Sequence, residues 1–139
     1  MTQRLEEDER WMQVALQEAE VAAQKGEVPV GAVVVHNGEL IAKSHNLREL
    51  NKDPLAHAEL LAIAEAAEHL DRWRLIDCTL YVTLEPCPMC AGAIVNSRLD
   101  RIVFGASDPR AGSCGSILNI VEDERLNHRP EVTRGILQP

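Results

Sequence analysis

Two short stretches carry residues whose types and spacing can do chemistry: His57-Ala58-Glu59 and Pro86-Cys87-Pro88-Met89-Cys90. Cysteines three apart on one helical turn can present both thiolates to a single ion. His57, thirty residues before Cys87, offers a third ligand. Three protein ligands and one open coordination position describe a catalytic metal site rather than a structural one, and two thiolates with one imidazole favour zinc. Such an ion lowers the pKa of a bound water from about 15.7 toward roughly 7. Glu59, two residues past the histidine, is then placed to take the water's proton and hand it on, so that one carboxylate serves first as base and then as acid. Spacing alone leaves two other readings of the cysteines open. They could form a redox pair, or a structural zinc site closed by Cys78 or Cys114.

The elements around these residues must bring them to one place. The acidic run Glu6-Glu7-Asp8-Glu9 reads as a solvated helix start, with acids at the positive end of the helix dipole. Met12, Ala15, Ala19 and Ala22 recur at steps of three and four, which is one buried helical face, and Gly26 ends that helix. Ala32-Val33-Val34-Val35 is an uninterrupted apolar run, as in a strand buried on both faces. Asn37-Gly38 predicts a hairpin turn, so Glu39 to Lys43 returns antiparallel, and His36 beside it reads as a strand end rather than a ligand. Ser44 to Lys52 is polar and reads as a loop. Asp53-Pro54 reads as an N-cap with proline at the first helical position, so the expected helix starts there and runs through Ala58, Leu61, Ala62 and Ala66 to Leu70. Positions two apart on a helix point to different sides. His57 and Glu59 can therefore share one site only if the ion lies off the N-terminal end of that helix.

Leu80 to Leu84 is the next expected strand. Pro88 is a natural first residue for a helix running to about Asn96, whose dipole lowers the pKa of thiols at its start. Arg101 to Phe104 reads as a strand and Asp108 to Ser116 as a glycine-bearing loop. Ser116 reads as the cap of a short helix from Ile117, and Val132 to Ile136 as a last strand. This order predicts a mixed sheet with helices on both faces, its later strands parallel because helices join them. The helix N-termini, and hence the site, fall on one side of the sheet.

At 139 residues the chain is long enough for one domain that buries most of its apolar surface. Hydrophobic residues make up 45% and aromatics only 3%, so the core is aliphatic and alanine-rich. A net charge of −8 and a pI near 5.1 exclude a broadly basic nucleic-acid-binding surface, although a local basic rim around a pocket is compatible with both. With no apolar signal region and no apolar run of membrane length, the expectation is a cytoplasmic protein without membrane association. In that compartment the four cysteines read as ligands and thiols rather than disulfides, which leaves Cys78 and Cys114 over.

The pattern His-x-Glu…Pro-Cys-x-x-Cys is the known signature of zinc nucleobase deaminases, in which water adds to C6 of adenine or C4 of cytosine and ammonia leaves. Similarity reaches well beyond it. Val28-Pro29-Val30-Gly31-Ala32-Val33, Asn46, Asp53 through Glu59, Arg74-Leu75-Ile76-Asp77, Leu80 through Cys87, Met89 through Ala93, Val103 through Ala106, Asn127-His128-Arg129 and Gly135-Ile136-Leu137 all take part. On these residues, from near residue 11 to residue 137, the chain resembles the bacterial tRNA adenosine deaminases of the cytidine-deaminase-like superfamily. Those enzymes convert adenosine to inosine at the wobble position of the tRNA anticodon.

The resemblance implies a three-layer α/β/α cytidine deaminase-like fold, a five-stranded mixed sheet flanked by helices. It implies that residues 1–139 form a single zinc-dependent deaminase domain assembled as a homodimer. One zinc per subunit falls to His57, Cys87 and Cys90, and catalysis to Glu59. Asn46 matches an asparagine that hydrogen-bonds the flipped nucleoside; Pro29, Val30 and Leu84 match positions lining the base pocket. The amide of Ala58 then contacts the base, and Asp108 lies in a loop that approaches the nucleic-acid backbone. Taken alone, Asn46 reads instead as a loop residue bonding its own backbone. The implied partner is a tRNA anticodon arm or another single-stranded nucleic acid, including adenine in single-stranded DNA. Family members generally continue past Leu137 into a C-terminal helix with basic and aromatic residues, whereas this sequence stops at Pro139. The expectation is weaker RNA engagement around an intact pocket, with Arg48, Lys52, Arg98, Arg110 and Arg129 as candidate phosphate contacts. Two alternatives remain: a deaminase of a free base or nucleoside such as guanine, and a non-catalytic zinc-stabilised dimer partner, against which the presence of Glu59 counts.

Overall fold

The computed structural model describes residues 2–137. In β1 (Gly31–His36) successive side chains alternate between the two faces of the sheet, and Ala32, Val33, Val34 and Val35 are all buried. That explains the uninterrupted apolar run, because both faces are covered. On one face α1 (Thr2–Gln24) lays Trp11, Met12 and Ala15 against Val33, Val35, Tyr81 and Val103. On the other, Ala32, Val34, Leu80, Ile102 and Phe104 lie under α3 (Ala58–Leu70) and α4 (Pro88–Asn96). The result is three layers, helix on sheet on helices.

The remaining strands are β2 (Glu39–His45), β3 (Cys78–Leu84), β4 (Arg101–Ala106) and β5 (Glu131–Thr133), and the sheet order is β2-β1-β3-β4-β5. β1 runs antiparallel to both β2 and β3, while β4 runs parallel to β3 and β5. The hairpin turn falls at Asn37 and Gly38, with φ of 50° and 80°, as an Asn-Gly pair favours. Gly31 lies directly under α1. A Cβ there would stand 2.0 Å from the Ala15 carbonyl oxygen and 2.6 Å from the Ala19 nitrogen. The helix and the first strand therefore meet backbone to backbone, and the pocket-side segment after Gly26 is fixed by that contact.

Several expectations are corrected. The acidic run lies within α1 rather than wholly in solvent, since Asp8 is 3% exposed and faces the sheet. Ser44 and His45 extend β2, and the expected loop contains a short helical turn, α2 (Arg48–Asn51). Asp53 caps a turn, not the helix: its Oδ1 accepts from the Leu55 N–H at 2.9 Å and its carbonyl from the Ala56 N–H at 3.2 Å. The helix begins four residues past Pro54, at Ala58. No helix starts at Ile117 either. Cys114 and Asn119 form an isolated antiparallel bridge, and the donors of Ser116 go to Glu85. β5 stops at Thr133, short of the expected Ile136.

Candidate active site

The delayed start of α3 assembles the site. His57 is the N-cap of α3, with extended backbone (φ −76°, ψ 149°), and Cys87 is the N-cap of α4, also extended (φ −75°, ψ 175°). The His57 side chain makes no hydrogen bond to its own helix, whereas the Cys87 sulfur faces the first amides of α4. Cys90 sits one turn into α4, on the side of Cys87. His57 thus projects off the helix end, while Glu59 lies inside the first turn of α3. The geometric demand that residues two apart on one helix could not meet is met because one of them is outside the helix.

Nδ1 of His57 stands 3.6 Å from Sγ of Cys87 and 3.5 Å from Sγ of Cys90, and the three atoms lie within 4.8 Å of one another. Imidazole and thiolate bonds of about 2.0–2.3 Å in a tetrahedron set ligand atoms roughly 3.6 Å apart. The donor set and its spacing therefore fit one tetrahedral metal ion. Cys78 and Cys114 do not join the group: both are buried free thiols, pushed by burial up to about 11 and about 12. A tetrahedral ion held by these three side chains alone would keep one position for water or substrate.

The charges suit the same reading. Cys87 is lowered to about 5, first by the Cys90 S–H, then, against the opposing effect of burial, by the backbone N–H groups of Cys90 and Met89 and by His57. Cys90 is pushed up, because it keeps the proton it shares with Cys87 and because it is buried beside Glu59. A divalent cation bound here would replace that shared proton and draw both sulfurs into the thiolate form. Burial pushes the Glu59 carboxyl up to about 7; the Cys87 thiolate adds to this, while its own backbone N–H and the Cys90 S–H oppose it. A carboxyl poised near neutrality is suited to passing a proton both ways.

A cavity of about 170 Å³ opens beside these residues. Pockets for drug-sized ligands run from roughly 300 Å³ upward, so this cavity is a small one. His57, Ala58, Glu59 and Cys87 line it together with Val28, Val30, Asn46 and Arg48 from the segments before β1 and after β2, and Leu84, Glu85, Asp108 and Ala111 from the end of β3 and the loop after β4. Of the predicted substrate contacts, Val30, Asn46, Ala58, Leu84 and Asp108 line it. Pro29 does not: it lies in the adjoining apolar groove with Met12, Ile136 and Leu137. Oδ1 of Asn46 accepts from the Arg48 N–H at 3.1 Å, so the residue bonds its own loop and still borders the cavity, leaving Nδ2 to donate elsewhere. Ala58 heads α3, where amides lack intrahelical partners. Among the candidate phosphate contacts only Arg48 reaches the cavity. Arg98 and Arg129 bond nearby backbone carbonyls instead.

Two acids escaped the sequence reading. Glu27 accepts from the N–H groups of Glu49 and Leu50 at 3.1 and 2.8 Å, fixing the start of α2 behind Asn46. Glu85, 2% exposed, accepts from Asp108, Cys114 and Ser116. It belongs to the Leu80–Cys87 stretch that carries the resemblance, but no role followed from that, and locally it is only an acid between the strand end Leu84 and Pro86.

Comparison with known proteins adds the following. Residues 6–139 match the MafB19-like deaminase family. The chain is 55% identical over 132 residues to the tRNA-specific adenosine deaminase of Bacillus subtilis, covering 95% of this chain and 82% of that protein. It is 48% identical to the tRNA-specific adenosine deaminase of Haemophilus influenzae, covering 96% and 78%. Among solved structures, one from work on A-to-I editing by tRNA:A34 deaminases at the wobble position of transfer RNA aligns with a TM-score of 0.87 at 43% identity, covering 91% of this chain and 97% of that one. The guanine deaminase of Bacillus subtilis aligns with a TM-score of 0.70 at 39% identity, covering 71% and 64%.

Proposed function

We propose a function for a chain that belongs to the MafB19-like deaminase family and, within it, to the tRNA-specific adenosine deaminases: hydrolytic deamination of adenosine to inosine in RNA, at the wobble position of a tRNA anticodon loop. The observation that carries this reading is the convergence of His57, Cys87 and Cys90 at two helix N-termini, with buried Glu59 beside them. Zinc is the ion assigned to the three ligands; when bound it supplies a water acidic enough to act as a nucleophile at neutral pH. Glu59 takes a proton from the attacking water and delivers it to the adenine ring nitrogen next to C6. It then carries the second proton to the departing amine. The C6–N6 bond breaks, ammonia leaves, and the C6 oxygen remains as the carbonyl of inosine.

Because the candidate catalytic residues line a cavity rather than a flat surface, a nucleic-acid substrate would have to present its base out of the stack. In this reading Val30 and Leu84 flank the base, and the Asn46 side chain and the Ala58 amide hydrogen-bond the nucleoside. Asp108 and Arg48 meet the strand at the mouth, and Pro29 extends the apolar surface beyond it. Residues 1–139 act as one domain, and the active form is a homodimer, for which the exposed Leu50, Leu55, Ile117 and Leu118 offer apolar surface. Among the described residues no helix is long and apolar enough to cross a membrane, and the proposed location is the cytoplasm. The likeness to a guanine deaminase supports a second reading, deamination of a free purine.

One experiment separates the readings. The zinc-loaded protein is incubated with an RNA anticodon stem-loop, the same sequence as single-stranded DNA, free adenosine and guanine, and products are identified by mass spectrometry. Inosine at the wobble position of the RNA is expected. Xanthine from guanine, with the RNA untouched, sinks the tRNA reading.

A further inference from the structure

We propose that Glu85 is a positioning residue for the substrate pocket, holding the loop from Asp108 to Ser116 in place as the pocket's outer wall. Glu85 joins the last residue of β3 to the Pro86-Cys87 step, and its own N–H bonds the Ala106 carbonyl at 2.8 Å. Its side chain turns beneath the loop. Oε1 accepts from the Asp108 N–H at 3.0 Å and from the Ser116 hydroxyl; Oε2 accepts from the N–H groups of Cys114 and Ser116 at 2.9 and 3.0 Å. An ionised carboxylate offers about four acceptor directions, and all are filled by one loop. The neighbouring Pro86 carbonyl takes a further donor, the Ser113 N–H at 2.9 Å.

The loop needs this anchor because it contains no helix, and its only ladder is the Cys114–Asn119 bridge. Buried backbone donors without a ladder must find other acceptors. Gly112 records how closely the loop wraps the carboxylate: a Cβ there would stand 2.5 Å from Cδ of Glu85. The inner side of the loop faces the cavity through Asp108 and Ala111. Asp108 Oδ1 in turn accepts from the N–H groups of Arg110 and Ala111 at 2.9 and 3.3 Å, so fixing the Asp108 backbone fixes the turn that forms the wall. His57, Cys87 and Cys90 are held separately, by the starts of α3 and α4.

The kinetic part of the test rests on the deaminase reading above; the structural part does not. In Glu85→Gln the amide nitrogen must face one or more of the loop's N–H groups. We expect one zinc per chain as in the wild type, kcat on the stem-loop within about threefold, and KM raised on the order of tenfold. Amide exchange at Asp108, Cys114 and Ser116 should accelerate on the order of tenfold or more, with α3 and α4 unchanged. Ser116→Ala, which removes a donor and keeps the carboxylate, should move KM and exchange the same way by about two- to fivefold, and decides the matter if Glu85→Gln does not fold. Loss of zinc, a fall in kcat at constant KM, or unchanged exchange in the loop overturns the proposal. If the wild type turns over no RNA, the functional reading fails while the exchange measurement still judges Glu85.

Discussion

Arg101 donates from Nη1 and Nη2 to the two carboxylate oxygens of Asp8, at 2.7 and 2.6 Å. The two residues lie 93 positions apart in the chain and are both buried. The Tyr81 hydroxyl donates to the same Asp8 oxygen at 2.9 Å, and Arg101 also donates to the Thr133 hydroxyl at 2.8 Å. One fork thereby ties α1 to β3, β4 and β5, on the face of the sheet opposite α3 and α4, which carry His57, Cys87 and Cys90.

Removing one partner of a buried pair leaves the other charge uncompensated, which typically costs about 3–5 kcal/mol. Asp8→Ala should lose stability of that order in urea denaturation, with activity per folded molecule retained. Replacing the whole cluster, as Asp8→Leu, Arg101→Met and Tyr81→Phe, should recover at least half of the loss, since no buried charge is left unpaired. A single variant as stable as the wild type contradicts this account of the cluster.

Tyr81 is the one tyrosine in the chain, so tyrosinate absorbance reports on it alone. Burial first, then the hydrogen bond to Asp8 and its charge, push its phenol well above the ordinary value. The sign follows from linkage: a raised folded pKa gives stability that is complete below the unfolded value of about 10 and is lost as pH rises above it. Alkaline titration should show tyrosinate appearing with unfolding, and Tyr81→Phe should flatten the loss of stability above that pH. Tyrosinate forming near its ordinary pKa with the fold intact is the opposing result.

At Gly31 the close approach of α1 leaves no room for a methyl group. Gly31→Ala should destabilise by about 1–3 kcal/mol or more, read as a lower melting temperature, because the helix must shift off the strand. An unchanged melting temperature means that the helix seats loosely.

How much of this was legible in the sequence differs from residue to residue. The apolar run through Val35 and the Asn37-Gly38 turn encode their conformations locally, and the sheet followed from them. The candidate ligands His57, Cys87 and Cys90 were readable as a pattern, and a site off the helix N-termini followed from their spacing, but the residue at which α3 starts did not. Asp53-Pro54 carries the local signature of a helix start, whereas the chain makes a turn there and delays the helix until Ala58, placing His57 at the cap. Asp8 looks like a surface acid and Glu85 shows no role of its own because their partners, Arg101 and the Cys114–Ser116 backbone, are distant in sequence; burial of an acid by a remote partner leaves no local mark. Ser116 resembled a cap for the same reason, its donors being claimed by Glu85.

The separation of thiols into ligands and bystanders makes a further prediction. Cys87→Ala and Cys90→Ala should each lower zinc content to well below one ion per chain, measured by elemental analysis of purified protein. Cys78→Ala and Cys114→Ala should retain one. Loss of zinc in Cys114→Ala restores the reading of a closed, structural four-ligand site.

In the proposed mechanism His57, Cys87 and Cys90 hold the ion and a fourth residue, Glu59, moves the protons. The most direct test is Glu59→Gln, assayed for zinc content and for inosine formation on the RNA anticodon stem-loop. Glu59→Gln should keep one zinc per chain and turn over more slowly by about two to four orders of magnitude, the span of general acid–base catalysis. A variant that loses its zinc, or that keeps it and still forms inosine within about tenfold of the wild-type rate, contradicts the division of labour between Glu59 and the three ligands.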